Sequence, residues 1–259
     1  MKNSFIPLND NINKLIAFAP SLDKNWRNSQ RIKQKPFQIE TLEAITGFQN
    51  QGWKLAGVFE EKGKNLKIRN HSVRMVHPDF SIKDKKSDPE AVIDLYIQNS
   101  CDGSGAIEMD LGLYRKVCAN GLVSKTNYSS EKLKHTKVDF LKLPQIISQL
   151  SNSSQNLLNE FEKFKHVQLS PRERSNLVKQ AAIKRFGENH QIDASQLLNV
   201  VRDDDKGDNL WLVYNRIQEN LTQSNMILDS QGRYIPGINN VNEDINLNKE
   251  LFELVHSYV

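Results

Sequence analysis

The residues of this chain that could do chemistry concentrate in two short stretches, Gln98-Asn99-Ser100-Cys101-Asp102-Gly103-Ser104-Gly105-Ala106 and Gly112 through Val123. In and between them lie the neighbouring carboxylates Asp102, Glu108 and Asp110, the arginine Arg115, and both cysteines of the chain, Cys101 and Cys118. Clustered carboxylates could hold Mg²⁺ for hydrolysis of a phosphodiester. An arginine among apolar residues demands a fixed acceptor, because burying it unpaired is costly. Arg115 then bridges a turn carbonyl or Asp102, or turns its guanidinium fork to a phosphate or a partner. Turn chemistry is the competing reading. Asp102-Gly103 and Asn120-Gly121 each stand beside alternating segments, where Gly accepts the positive φ of a tight hairpin turn. The side chains of Asn99, Asp102 and Asn120 then cap their own backbone, and no catalysis is needed to explain them.

Other enzyme signatures are missing. No G-x-x-x-x-G-K-[ST] phosphate loop, G-x-S-x-G elbow or H-E-x-x-H pair occurs. The acidic run Asp203-Asp204-Asp205-Lys206-Gly207-Asp208 lacks the ligand spacing and the closing Glu of a calcium loop. His71, His77 and His135 are too scattered for a metal set, and neither cysteine belongs to a C-x-x-C or zinc pattern. We therefore expect no catalytic residue, no metal and no cofactor, with both cysteines reduced, small and half-buried.

Charge points elsewhere. The net +4 hides an asymmetry: residues 1–86 hold 16 Lys and Arg against 8 Asp and Glu, and the remainder 19 against 23. A basic front third suits a polyanionic partner, since cations that neutralise phosphates release counterions, although a solvated surface has the same composition. In Leu66-Lys67-Ile68-Arg69-Asn70-His71 the basic residues alternate with the apolar ones, so a strand here would present one basic face. A second basic stripe runs from Lys125 through Lys132, Lys134 and His135 to Lys137, with Tyr128 among them. The candidate nucleic-acid-binding set is thus Lys67, Arg69, His71, Arg74, Arg115, Lys125, Lys132, Lys134, His135 and Lys137.

The elements that must position these residues predict an α+β protein, with an antiparallel sheet with hairpins in the N-terminal half and a helical C-terminal half. Residues 1–36 read as a basic flexible arm, with Lys24, Arg27, Arg31, Lys33 and Lys35 around Trp26, able to bind a strand or to remain a mobile tail. Residues 37–139 read as the sheet-rich part. A helix from Ile39 to Gln51 stops at Gly52, Trp53–Glu60 pairs with Leu66–His71, and Ile93, Leu95 and Ile97 alternate against Ile107, Met109 and Leu111. Residues 140–259 read as helices packing on the sheet in one unit. Pro144 opens the first of them, loosened at Ser151–Ser154; Ser170 and Glu173 form a capping box; Asp193 caps a short helix; Leu210–Gln223 and a stripe from Leu247 to Tyr258 complete the set. On Leu210–Gln223, Arg216 pairs with Glu219 or a loop carboxylate, or faces phosphates. No apolar run nears the roughly 20 residues of a membrane span, and the opening Met1–Pro7 lacks the core of a signal peptide, so a cytoplasmic protein without a membrane partner is expected.

Several ordered motifs together resemble one family. Asn99-Ser100-Cys101-Asp102-Gly103-Ser104, Arg115 with Cys118 and Asn120-Gly121-Leu122, and His135-Thr136 are similar to the N-S-H-D-G-[ST], R-x-V-C-x-N-G-L and H-[ST] pattern of the phage and plasmid family called domain of unknown function 932 (UPF0380-like). Gly52-Trp53 leading to His71-Ser72-Val73-Arg74 resembles its first sheet segment. Leu210-Trp211 with Asn215, Arg216, Gln218, Glu219, Asn220 and Leu221 resembles its L-W-x-x-[FL]-N-R-x-Q-E-N-L signature, and Gly237 through Phe252 its end. Cys101 stands where the family has His, and Ser224-Asn225 where it has Gly-Gly. The resemblance implies a protein carried by phages, prophages and plasmids, and no settled chemistry. The leading expectation is a DNA-binding accessory protein of such an element that favours single-stranded DNA, an ATP-independent annealing or recombination factor working as a homo-oligomer. The alternatives are a counter-defence inhibitor that binds a host protein and a metal-dependent nuclease using Asp102, Glu108 and Asp110.

Overall fold

Alternating apolar and polar residues in the N-terminal half pair into one antiparallel sheet in the computed structural model, which describes residues 5–61, 70–83, 89–115, 120–123, 129–223 and 226–259. Its strands are β1 (Ile6–Pro7), β2 (Lys54–Glu60), β3 (Asn70–Lys83), β4 (Pro89–Ser100), β5 (Ile107–Arg115), β6 (Asn120–Val123) and β7 (Ser130–Leu133). They lie in the order β1-β2-β3-β4-β5-β6, with β6 on the second half of β5 and β7 on its first half. Register aligns Val73, Ile97 and Met109 in one row and Met75, Leu95 and Leu111 in another, all fully buried. Since successive side chains of a strand point to opposite faces, these rows define the core face. The alternate rows, Ser72–Gln98–Glu108 beside the first and Arg74–Tyr96–Asp110 between the two, occupy the other face and are polar.

Helices cover both faces. Described in chain order, they are α1 (Ile12–Phe18), α2 (Lys24–Ser29), α3 (Thr41–Gln49), α4 (Lys137–Phe164), α5 (Pro171–Phe186), α6 (Leu210–Thr222) and α7 (Val241–His256). Helix α4 packs its first half on α3 and the sheet, and Trp53 Nε1 donates to Ser151 Oγ at 3.0 Å. Its second half joins the helical layer, where Phe161 meets the rings of Trp211 and Phe252. Helix α7 returns to the polar face of the sheet, with Ile245 packed near Tyr96 and Lys249 Nζ 2.6 Å from Asp110 Oδ2. The α+β reading with a helical C-terminal half therefore holds, as do the capping box of Ser170 and Glu173 and the Asp193 cap. Gly52, at φ +91°, follows α3 in the left-handed conformation expected of it.

Four expectations are corrected. The segment read as a loose basic arm carries regular elements tied to the fold: β1 pairs with β2, and Leu8, Leu15, Ala19 and Leu22 are buried in the core. These four apolar residues tie it to the core even though Ile12 and Phe18 stay exposed. Helix α4 begins at Lys137, capped by the Thr136 side chain, so Pro144 lies inside it. Burial of Leu143, Ile146, Ile147 and Leu150 together outweighs the roughly 3 kcal/mol that a helical proline costs. Ser151–Ser154 do not interrupt the helix: Ser151, Ser153 and Ser154 are buried within it, and the Ser153 and Ser154 hydroxyls are satisfied by donating to the carbonyls of Gln149 and Leu150. The two glycine turns also differ from their reading. β4 and β5 are joined by the longer loop 101–106, in which Gly103 has φ +67° and Asp102 accepts from the Ser104 N–H at 2.9 Å. Asn120 and Gly121 belong to strand β6, opposite Arg115 and Tyr114.

Candidate functional site

The first motif builds a buried hydrogen-bond network on the core face, where β3 and β4 meet α3. Asn99 lies opposite His71 in the sheet register, and its amide donates to the carbonyl of Ile39 and to Thr41 Oγ1, both at 3.0 Å. Thr41 Oγ1 also lies 2.7 Å from His71 Nε2, and Ser21 Oγ lies 3.1 Å from His71 Nδ1. Burial, reinforced by the charge of Arg27, drives the His71 pKa down to about 3, so the imidazole is neutral. Arg27 itself is buried and donates to Glu40 Oε2 at 2.6 Å and to the Ser21 carbonyl at 3.2 Å. His135 is likewise buried, with Nδ1 accepting the Ile39 N–H at 3.0 Å, and desolvation lowers its pKa, helped by Lys35. Gly103 packs close to this histidine; a Cβ there would come within 3.1 Å of its ring. These residues hold the turn and the helix to the sheet.

The second motif is the buried face of α6. Asn215, Arg216, Gln218, Glu219 and Asn220 are all under 9% exposed, unusual for polar residues on a helix. Asn220 Nδ2 donates to the carbonyls of Leu197 at 3.1 Å and Asn199 at 2.9 Å, and Asn215 Nδ2 to that of Trp211 at 2.7 Å. Arg216 donates to the Gly207 carbonyl at 2.5 Å and lies 3.9 Å from Asp208, which also pairs with Arg174. Glu219 is not its partner, because Arg202 takes that carboxylate at 2.6 Å. The signature thus stitches the loops before α6 onto it.

On the opposite face of the sheet, charge is buried under α7. Arg74 Nε lies 3.3 Å from Asp94, Tyr96 Oη donates to Asp94 at 3.1 Å, and Ser130 Oγ donates to Asp110 at 2.5 Å. Desolvation pushes Asp94 up to about 7 against the pull of Arg74 and Tyr96, raises Asp110 against Lys249, and takes Asp244 to about 6. Beyond the last row that α7 covers, the sheet face opens into a cleft of about 270 Å³. Its lining includes Asn70, Ser72, Gln98, Ser100, Glu108 and Asn246. Among the described residues no group of three or more His, Cys, Asp or Glu side chains is placed to hold a metal ion.

Of the predicted nucleic-acid set, Lys67, Arg69 and Lys125 lie outside the described residues, and Arg115 is described only as a paired strand residue. His71 and His135 are buried and neutral rather than part of a basic face, because each completes a network that fixes α3 to the sheet. Arg74 is spent on Asp94, and Lys132 lies against Glu108. Lys134 and Lys137 remain exposed. They run along one surface of the α4 N-terminus with Lys142 and with Val138 and Leu141, which are 63% and 69% exposed. Exposed Lys35 and Phe37 adjoin it through Ile39, whose N–H donates to His135 Nδ1 at 3.0 Å just before α4. The sequence reading passed over Val138 and Leu141, and it gave Ser72, Gln98 and Asn246 no site role. A signal for the first two existed: apolar residues off the Leu143–Ile146–Leu150 stripe of the same helix.

The fold and sites define an α+β protein whose distinctive polar residues are mostly structural, with an exposed basic surface and a polar cleft beside them. Comparison with known proteins gives that class a family. Residues 32–252 match the model of the domain of unknown function DUF932, and the chain belongs to this family. It is 25% identical to the UPF0380 proteins YfjQ and YafZ of Escherichia coli (strain K12), over 94% of this chain and 89% of each relative. No solved structure matches the chain. No helix among the described residues is long and apolar enough to cross a membrane.

Proposed function

We propose that this protein is a cytoplasmic, single-strand DNA-binding accessory factor of a phage, prophage or plasmid, acting without ATP. The observation that carries the reading is the exposed surface formed by Lys35, Phe37, Lys134, Lys137 and Lys142, with Val138 and Leu141 among the cations. Single strands are held by that combination of cations tracking phosphates and apolar or aromatic groups contacting bases. Neighbouring copies aligned on one strand extend the reading to annealing, by analogy of architecture alone. Fluorescence anisotropy with a labelled oligo(dT) strand tests it. Binding is expected at low salt, weakening as salt rises, and the double reversal Lys134→Glu with Lys137→Glu is expected to reduce affinity at least tenfold. Absence of binding at low salt, or an affinity indifferent to the reversal, sinks the reading.

A second reading has its own observation. Two aliphatic side chains as exposed as Val138 and Leu141 also suit a protein partner, which the counter-defence alternative requires. It predicts a complex with a host protein that Leu141→Glu disrupts and that DNA does not displace.

A further inference from the structure

The cleft on the polar face of the sheet has the wrong lining for packing and a suitable one for reading hydrogen bonds. Its floor is set by register: Asn70 lies opposite Ser100, and Ser72, Gln98 and Glu108 form a row across three neighbouring strands. At a strand spacing of about 4.8 Å such a row spans roughly 10 Å. Helix α7 supplies Asn246 to the lining. These six side chains offer three amides, two hydroxyls and one carboxylate, and the rest of the lining is His71, Asn99, Gly105 and the small apolar Ala106. The adjoining row, Arg74–Tyr96–Asp110, is closed by α7 through Ile245 and Lys249, so the cleft begins where the helix cover ends.

The chemistry of the lining narrows the ligand. A phosphate is disfavoured, because Glu108 faces the cleft and the nearby Lys132 already lies against that carboxylate. A wholly apolar ligand would cover the amides, hydroxyls and carboxylate without hydrogen-bonding them. A volume of about 270 Å³ lies just below the range of drug-sized pockets and suits one small planar polar group. Amides and carboxylates are the side chains that read base edges: an amide donates to a ring carbonyl, and a carboxylate accepts from ring and amino N–H groups. The cleft also adjoins the proposed strand surface. Loop 101–106 separates them, with Gly105 at the cleft and Gly103 against His135 and Gln38 on the other side.

We propose that the cleft takes one guanine splayed out of the bound strand, its N1–H and amino group donating to Glu108 and its O6 accepting from the Gln98 amide. This rests on the strand-binding reading above. The test compares the affinity of the full chain for all-thymine oligonucleotides and for the same strand carrying one central guanine. The guanine strand is expected to bind about tenfold tighter, as one well-formed bidentate contact allows. Gln98→Leu and Glu108→Gln are each expected to bring it down to the all-thymine affinity. Ser72→Ala, which removes only a hydroxyl, is expected to lower the preference two- to threefold, and thermal melts confirm that all three variants are folded. Equal affinity of the wild type for the two strands overturns the proposal, as does a preference that survives both Gln98→Leu and Glu108→Gln. If neither strand binds, the strand-binding reading fails by itself, and the cleft is judged with free guanosine by ligand-observed NMR. Binding that Gln98→Leu abolishes upholds the guanine site, and no binding overturns it.

Discussion

His71 shows how a residue chosen for its charge can serve the fold instead. Held between Ser21 and Thr41, and 2% exposed, it has a folded-state pKa of about 3, far below the usual imidazole value. A depressed pKa means that its contribution to stability is complete above about pH 6.5 and is lost as pH falls toward 3. Replacing it with Gln, which has no charged form, is therefore expected to cost most at pH 7 and progressively less at pH 5 and 4; melting curves of both proteins across that range check it. Asn99 makes a complementary case. Asn99→Ala leaves the Ile39 carbonyl and Thr41 hydroxyl without their donor and is expected to destabilise by about 1–3 kcal/mol, or several degrees in Tm. As a distinctive residue Asn99 was legible in the sequence. Its partners were not, because Ile39 and Thr41 lie about sixty positions away in the chain and no local spacing reports them.

Among elements, the contact between the sheet and α7 is the least ordinary. Asp94 and Asp110 are fully buried on a face that alternation alone assigns to solvent, and their pKa values are raised because desolvation outweighs Arg74 and Lys249. A raised pKa makes the protonated form the one compatible with folding, so Asp94 contributes fully below about pH 3.8, and this is lost as pH rises through about 7. The stability of Asp94→Asn relative to wild type is therefore expected to increase from pH 4 to 7 and then level off, a difference in Tm of several degrees. Lys249→Met strands Asp110 and is expected to cost about 3–5 kcal/mol at neutral pH, as removal of one member of a buried pair does; adding Asp110→Asn restores most of it. Helix α6 was legible in type and position, and the structure adds its Asn209 cap. What its amides and charges hold was not, since Arg216 and Asn220 reach loop carbonyls whose position follows from the packed helices.

For the whole molecule, one apolar cluster runs from Leu8 and Trp53 through the sheet rows to Phe161, Trp211 and Val255. The core is thus shared by the sheet-rich and helical parts, and Trp53 and Trp211 stand in different regions of it. Tryptophan fluorescence and far-UV circular dichroism are expected to report one coincident unfolding transition. Two separate midpoints would mean that the halves unfold independently. The proposed strand binding belongs to this scale too. Each of Lys35, Lys134 and Lys137 replaced by Ala is expected to reduce the slope of log affinity against log salt by about 0.7, if each neutralises one phosphate.

The sequence by itself determined the α+β order, most element positions, the capping box and the ordered motifs that mark the family, because periodicity and caps act within a few residues. It also determined that positive charge gathers in the front third. Only the tertiary structure decided which charges remain available. Register turned one row of the sheet into Arg74–Tyr96–Asp110 under a helix and the next into the open row Ser72–Gln98–Glu108. Packing folded the presumed arm against the core and brought Lys35 and Phe37 beside the start of α4. Burial and pairing depend on contacts between residues distant in the chain, so they separate the charges that hold this fold from those left exposed to solvent.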